Sequence, residues 1–312
     1  MTARTQGANG GEPYVAVIGE AIWDLLERPD DGCYRPVPGG SCLNVAVGVA
    51  RLGHRVEFVG AFSGDVLGRR LRTFLAGEGV ADSASPTVDG QSTLAVTTFH
   101  GPEPFFSFYG HPAAYAGLTP SAGITTATAG AAVVHAGSIA LLADGVRQVA
   151  RSAFAAASGW RTLDPNVRPD LVADLVGYRR QLEELAGVTD LVKLSAEDAQ
   201  ALYGSSASDA PDRLLAAGAS AVLLTLGAGG AVLRTATHEV RHRTRATSVV
   251  DATGAGDAVM AAVVHVLVRQ GWPQDAQAWD DLVSFAMDVA GVVCGRPGGA
   301  TAMPTLAQVG GA

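Results

Sequence analysis

The stretch VVDATGAGDAVMAAVVHVL, residues 249–267, sets an acid, Asp257, directly after three small residues and at the head of a long apolar run. Val259, Val263, Val266 and Leu267 recur at helical spacing, which predicts a helix starting within Gly254-Ala255-Gly256, with Asp257 in its first turn. The first N–H groups of such a helix lack an intrahelical acceptor and carry partial positive charge. With no Cβ at Gly254 and Gly256, a phosphate can approach them closely. Asp257 then stands beside an anion cradle, placed to take a proton from a hydroxyl attacking the cradled phosphorus. Alone, the same residues also suit a tight turn whose acid complements the helix dipole, worth roughly 0.3 to 1 kcal/mol.

Working outward, the chain alternates short β-branched runs with helical periodicity. YVAVIG (14–19), LNVAVGVARLG (43–53), VEFVG (56–60) and LGRRLRTFLAGEGV (67–80) come first; AVVHAG (132–137), LLADGVRQVARSAFAAA (141–157), RTLD (161–164) with a helix ending near Leu185, LVKL (191–194) and AEDAQALYG (196–204) follow. That order predicts βαβ units, hence an α/β fold with a central, mostly parallel sheet flanked by helices. Two segments break the rhythm: 22–38, rich in Pro and acids, and 91–110, where STLAVTTFH and PFFSFYG flank a Gly-Pro turn. They predict antiparallel strands forming a small β lid over the carboxyl edge of the sheet, where open α/β sheets bind ligands. Residues 1–12 read as a loose tail and 13–308 as one domain with that lid.

The 312 residues, 48% of them hydrophobic, suffice for one large domain with a sizeable core. A net charge of −8 argues against nucleic acid as the partner. Three cysteines, Cys33, Cys42 and Cys294, without a CxxC pair suggest neither a disulfide framework nor a thiolate zinc site, and fit a reducing, cytoplasmic setting. The N-terminus lacks the apolar centre of a secretory signal. Two uncharged stretches, 113–143 and 214–233, are broken by Gly, Ser and Thr, so they read as buried strands with turns rather than membrane spans. HEVRH (238–242) has the HExxH spacing of zinc proteases, but its Thr-, Val- and Arg-rich surroundings read as strand, on which the two histidines cannot share one ion.

With its following helix, DATGAGD (251–257) resembles the second signature of the ribokinase-like, or PfkB, carbohydrate kinases, and GGSCLNVAVGVARLG (39–53) resembles the first. Between and beyond them LDPNVRP (163–169), VKLSAEDAQALYG (192–204), LTLGAGGAVL (224–233) and GRPGGATAMPT (295–305) stand in family order. The resemblance runs from about Val15 to Leu306 and is greatest to the bacterial fructokinases. It implies a ribokinase-like fold and a kinase using ATP and Mg2+, with Asp257 as general base and the amides of Gly254, Ala255 and Gly256 holding the transferring phosphoryl. Arg168 would lie near the substrate and that phosphate. Gly39, Gly40, Asn44 and Asp24 would bind the sugar, and Lys193, Ser195, Thr225, Gly227 and Gly230 would line the nucleotide.

Two acids would serve metal ions: Asp198 magnesium through water, and Asp251 a monovalent cation, K+. Read from residue type alone, the same positions also suit turns (Gly39-Gly40, Asp251), a helix start (Asn44), a loop acid (Asp24), a surface arginine (Arg168) and a capping box (Ser195 with Asp198). Departures from the family pattern are Ala252 in place of Thr or Ser, Val259 and Ala262 in place of Phe and Gly, and SAED (195–198) in place of a motif with Asn and Glu. The implied reaction is phosphorylation of a primary hydroxyl of a free sugar, first fructose to fructose 6-phosphate. Ketodeoxygluconate, ribose and nucleoside kinases share the frame, and a sugar-binding sensor without turnover is the reading from another class. Phe105, Phe106, Phe108 and Tyr109 in the lid could close over the sugar or pair with a second subunit in a homodimer.

Overall fold

The computed structural model describes residues 12–28, 32–100, 103–244 and 249–310. The expected tail, apart from Glu12, and the Gly101-Pro102 turn lie outside them. Along the chain run β1 (Tyr14–Ile18), β2 (Ile22–Arg28), β3 (Cys33–Gly39), α1 (Ser41–Arg51), β4 (Arg55–Val59), β5 (Phe62–Ser63), α2 (Val66–Gly77), β6 (Val80–Ala81) and β7 (Thr87–Val88). Then come β8 (Leu94–His100), β9 (Glu103–Tyr109), α3 (Ala122–Ala129), β10 (Val133–Gly137), α4 (Asp144–Ala156), β11 (Trp160–Asp164), α5 (Leu175–Ala186), β12 (Leu191–Ser195) and α6 (Ala196–Tyr203). The last third holds α7 (Ala210–Ala217), β13 (Ala221–Thr225), β14 (Ala231–Thr235), β15 (Glu239–His242), α8 (Ala255–Gln270) and α9 (Ala276–Cys294).

Nine strands form one sheet in the order β15-β14-β13-β12-β11-β10-β1-β4-β6. It is parallel from β6 to β13 and turns antiparallel only at β14 and β15. Strand β1 shows why. Val15 and Val17 face a core shared with α1, α8 and α9, and Ala16 and Ile18 face a second core shared with α4 and α5. A strand with both faces covered has to be apolar throughout, and these four residues are 0% exposed. Helix α8 is buried from Ala258 to Val268, as an all-round apolar helix must be.

The chain runs β1, β4, β6 to one side and then returns to β10 and onward on the other, so the strand order reverses between β1 and β10. Open α/β sheets take ligands at that point, and Glu20 and Ser138, just beyond the carboxyl ends of these strands, line the main cavity.

The lid is a second sheet in the order β3-β2-β8-β9. Both hairpins are antiparallel as expected, but β2 joins β8 in parallel, Trp23 opposite Leu94 through Leu26 opposite Thr97. Both hairpins leave the main sheet from its carboxyl end, so their first strands run the same way. Pro36 and Pro38 sit in β3, an edge strand, where a missing N–H costs no ladder bond. The His238–His242 segment contains β15, so its histidines lie on extended chain rather than on one helix face. Among the described residues no three His, Cys, Asp or Glu gather as a metal cluster, and no helix is long and apolar enough to cross a membrane.

Candidate active site

Helix α8 starts where expected. Gly254 is its N-cap at φ 81°, with no side-chain cap, and Asp257 lies in the first turn. A side chain at Gly254 would meet Gly299 Cα at 3.0 Å, and one at Gly256 would meet Lys193 Nζ at 2.8 Å. The first helical bond runs from the Ala258 amide to the Gly254 carbonyl, so the amides of Gly256 and Asp257 have no acceptor within the helix. Ala255 differs from expectation. Its amide already donates to the Ala252 carbonyl at 3.1 Å, because the left-handed Gly254 folds the chain back into a tight turn.

Asp257 is 6% exposed. Ser41 Oγ donates to its Oδ1 at 2.6 Å and Asn44 Nδ2 to its Oδ2 at 2.7 Å. Both donors belong to the first turn of α1, three residues apart and therefore on one helix face. That helix also starts on glycine without a side-chain cap, Gly40 at φ 98°, and a Cβ there would press on Glu20. Glu20 Oε1 accepts from the Cys42 amide at 3.4 Å, a long bond at the head of α1. Burial pushes the Glu20 carboxyl up to about 7 against several hydrogen bonds.

These groups open into a cavity of about 580 Å³, within the range of small-molecule sites. Its wall takes in Asp24, Gly40, Asn44, Phe108 and Arg168 together with Ser195, Glu197, Thr225, Gly227, Met287 and Cys294, and with Gly254–Asp257. Burial pushes Asp24 up to about 7, the Asp257 charge adds to that, and Arg168 opposes it. Arg168 is oriented locally, its Nη1 donating to Asn166 Oδ1 at 2.7 Å, and Asn166 itself sits at a positive φ of 38°. Of the lid aromatics Phe108 reaches the cavity and Tyr109 is exposed; the side chains of Phe105 and Phe106 lie outside the described residues.

Several residues singled out from the sequence are placed otherwise. Asp198 does not line the cavity. Its Oδ1 accepts from the Val167 amide at 2.6 Å and its Oδ2 from the Ser195 amide at 2.9 Å, completing a capping box on α6. Each oxygen thus gives one lone pair to a backbone amide, and the neighbouring exposed acid in the cavity wall is Glu197. Asp251 likewise receives the Thr253 and Gly298 amides at 2.8 and 2.9 Å, tying the DATG turn to the GRPGG segment.

Gly39 and Gly230 are structural glycines. A Cβ at Gly39 would collide with Asp24 Oδ2, and one at Gly230, φ 92°, with the His242 carbonyl. Lys193 does line the cavity but is 3% exposed and paired with the fully buried Asp164 at 2.9 Å. Burial alone would lower the lysine, yet the carboxylates of Asp164 and Asp198 outweigh it and hold it up. Asp164, raised by burial to about 6, is in turn lowered by that lysine. Ser41, Glu20 and Glu197 carried no signal of their own in the sequence. Ser41 adjoins the Gly39-Gly40 pair and Glu197 lies inside SAED, so both were one residue away from positions already singled out.

Three comparisons bear on this geometry. A fructokinase of Salmonella typhimurium is 33% identical over 305 residues, covering 93% of this chain and 96% of its own. A fructokinase from Xylella fastidiosa with bound ATP superposes with a TM-score of 0.83 at 29% identity, covering 95% of this chain and 96% of that one. One from Vibrio cholerae O395, in a fructose-, ADP- and calcium-bound form, gives 0.84 at 28% identity, covering 95% and 97%. The architecture is thus the ribokinase-like α/β fold. Since the sequence profile of the pfkB family carbohydrate kinases matches residues 12–306, nearly the whole length, this chain belongs to that family and is a carbohydrate kinase.

Proposed function

We propose that this chain moves the γ-phosphoryl group of ATP to the primary hydroxyl of free fructose, giving fructose 6-phosphate in the cytoplasm. The observation that carries the reading is the meeting, in one cavity, of a carboxylate held by two donors and the uncapped amides of α8. Its relatives' fructose and nucleotide complexes support the choice of substrates.

Asp257 takes the proton of the attacking sugar hydroxyl, while the Gly256 and Asp257 amides, with Gly254 giving close approach, face the charge on the transferring group. Asp24 accepts from sugar hydroxyls, which a carboxylate can do from two at once, and Asn44 and the Gly40 backbone lie on the same side. Arg168 places a fixed cation near both the sugar and the phosphate. Ser195, Thr225 and Gly227 line the nucleotide end.

The acids fit a divalent ion that arrives on the nucleotide, because Asp164 and Asp198 are committed to protein partners and Glu197 alone of this group is exposed in the cavity wall. Magnesium, when bound with ATP, would neutralise charge on the phosphates. A monovalent cation beside Asp251 would brace the turn before the cradle, and exchanging K+ for tetramethylammonium should then lower turnover. Two copies pairing through the lid would cover the β3 and β9 edges.

The deciding experiment is ADP release with magnesium, ATP and a panel of fructose, ribose, 2-keto-3-deoxygluconate and nucleosides. Fructose should give the highest kcat/KM. A faster partner from the panel replaces fructose, and fructose binding without release of ADP above background would make the chain a sensor.

A further inference from the structure

Asp257 is held from one side by two different donors. Asn44 Nδ2 can only donate, and its Oδ1, buried without a partner, leaves the amide no reason to turn over. Ser41 Oγ can donate or accept by rotating one bond. A carboxylate oxygen has two lone pairs, so one that already accepts from Ser41 or Asn44 can take a proton on the other and keep that contact. The 2.6 Å Ser41 contact has the length of a charge-assisted bond. The serine touches the base from the first turn of α1, whose N-cap Gly40 leaves no room for a side chain against Glu20.

We propose that Ser41 is the positioning residue of the base, holding the Asp257 carboxylate in the one orientation that meets the sugar hydroxyl. The step rests on the kinase reading above. As the sugar O–H bond breaks, its proton goes to the Asp257 carboxylate and its electron pair to phosphorus, while the bond from phosphorus to the ADP oxygen breaks. Ser41 Oγ donates to Oδ1 throughout, and no proton leaves the serine. Asn44 keeps the second oxygen in the same place before and after transfer.

The test measures kcat and KM for fructose in Ser41→Ala, Ser41→Thr, Asp257→Asn and the Ser41→Ala/Asp257→Asn pair. Ser41→Ala should lower kcat about tenfold to a hundredfold, the scale of a slightly misplaced reacting group, with KM for the sugar nearly unchanged. Ser41→Thr, which keeps the hydroxyl, should recover most of the loss. In the Asp257→Asn background, removing Ser41 should cost nothing more, because the two act as one unit. Wild-type kcat in Ser41→Ala, a loss confined to KM, a threonine variant no better than alanine, or an additive double variant would each overturn the proposal. If the wild type transfers phosphate to no sugar, the kinase reading itself has failed. Full activity in Ser41→Ala beside a dead Asp257→Asn removes only the role of Ser41.

Discussion

At the scale of single residues, three acids, Asp24, Glu20 and Asp257, line one cavity. Asp257→Asn should leave sugar and ATP binding nearly intact and cut kcat by about two to four orders of magnitude, the scale of a lost general base. Isothermal titration beside turnover separates the two. Asp24 carries a pH dependence. Burial first, then the Asp257 charge, raise it to about 7 against Arg168, and only the ionised form accepts from two hydroxyls. Below that pH it protonates, so KM for the sugar should rise as pH falls from 8 to 6 while kcat at saturation changes less. A flat KM across that range would take Asp24 out of sugar binding.

The identity of these residues was legible in the sequence only where a motif flanked them. Asp257 and Gly254–Gly256 could be read because helix periodicity and small residues coincide there. The 216-residue separation between Ser41 and Asp257 hides their contact from any local pattern.

Among elements, the N-termini of α1 and α8 decide the site, and both begin on glycine rather than on a capping side chain. A Ser, Thr or Asp cap would satisfy those amides and fill the space a ligand needs. Gly256→Ala should therefore lose turnover by at least about tenfold while the protein stays folded, because the new methyl meets Lys193 Nζ at 2.8 Å and pushes it off the helix head. Circular dichroism together with kcat would check this.

The parallel strands and their helices were readable because apolar runs and helical periodicity alternate. At the antiparallel end the strands were legible, in 214–233 and around 238–242, but their change of direction was not, since the short Gly-rich turn between β13 and β14 reads equally as a loop. Helix α9 went unread although Trp279, Leu282, Val283, Ala286, Val289, Ala290 and Val293 recur at three- and four-residue spacing, and it supplies Met287 and Cys294 to the cavity wall. That Glu197 and not Asp198 lines the cavity follows from the capping box: on a helix start, the third residue turns back to the cap, leaving the second to face outward.

Over the whole molecule, we read residues 13–308 as one unit with a lid, which predicts a single cooperative thermal transition. The buried acids give it a pH signature. Glu20 is raised to about 7 in the fold, chiefly by burial, so from its unfolded value near 4.5 up to 7 the native state holds a proton that the unfolded chain has released. Its contribution is therefore present at low pH, shrinks as pH climbs through that window, and is constant above it. Glu20→Gln removes the ionisation and should raise Tm relative to wild type more at pH 8 than at pH 5. An equal shift at both values would mean that the carboxyl ionises in the fold at its unfolded value, so that burial does not raise it.

The first hairpin of the lid is not a separate appendage. Chain direction takes it from Glu20 through β2 and β3 to Gly39 and Gly40, and the next residue is Ser41. A side chain at either glycine would press on an acid, Asp24 or Glu20, so the join between roof and helix tip is a tight seam that any added bulk would wedge open.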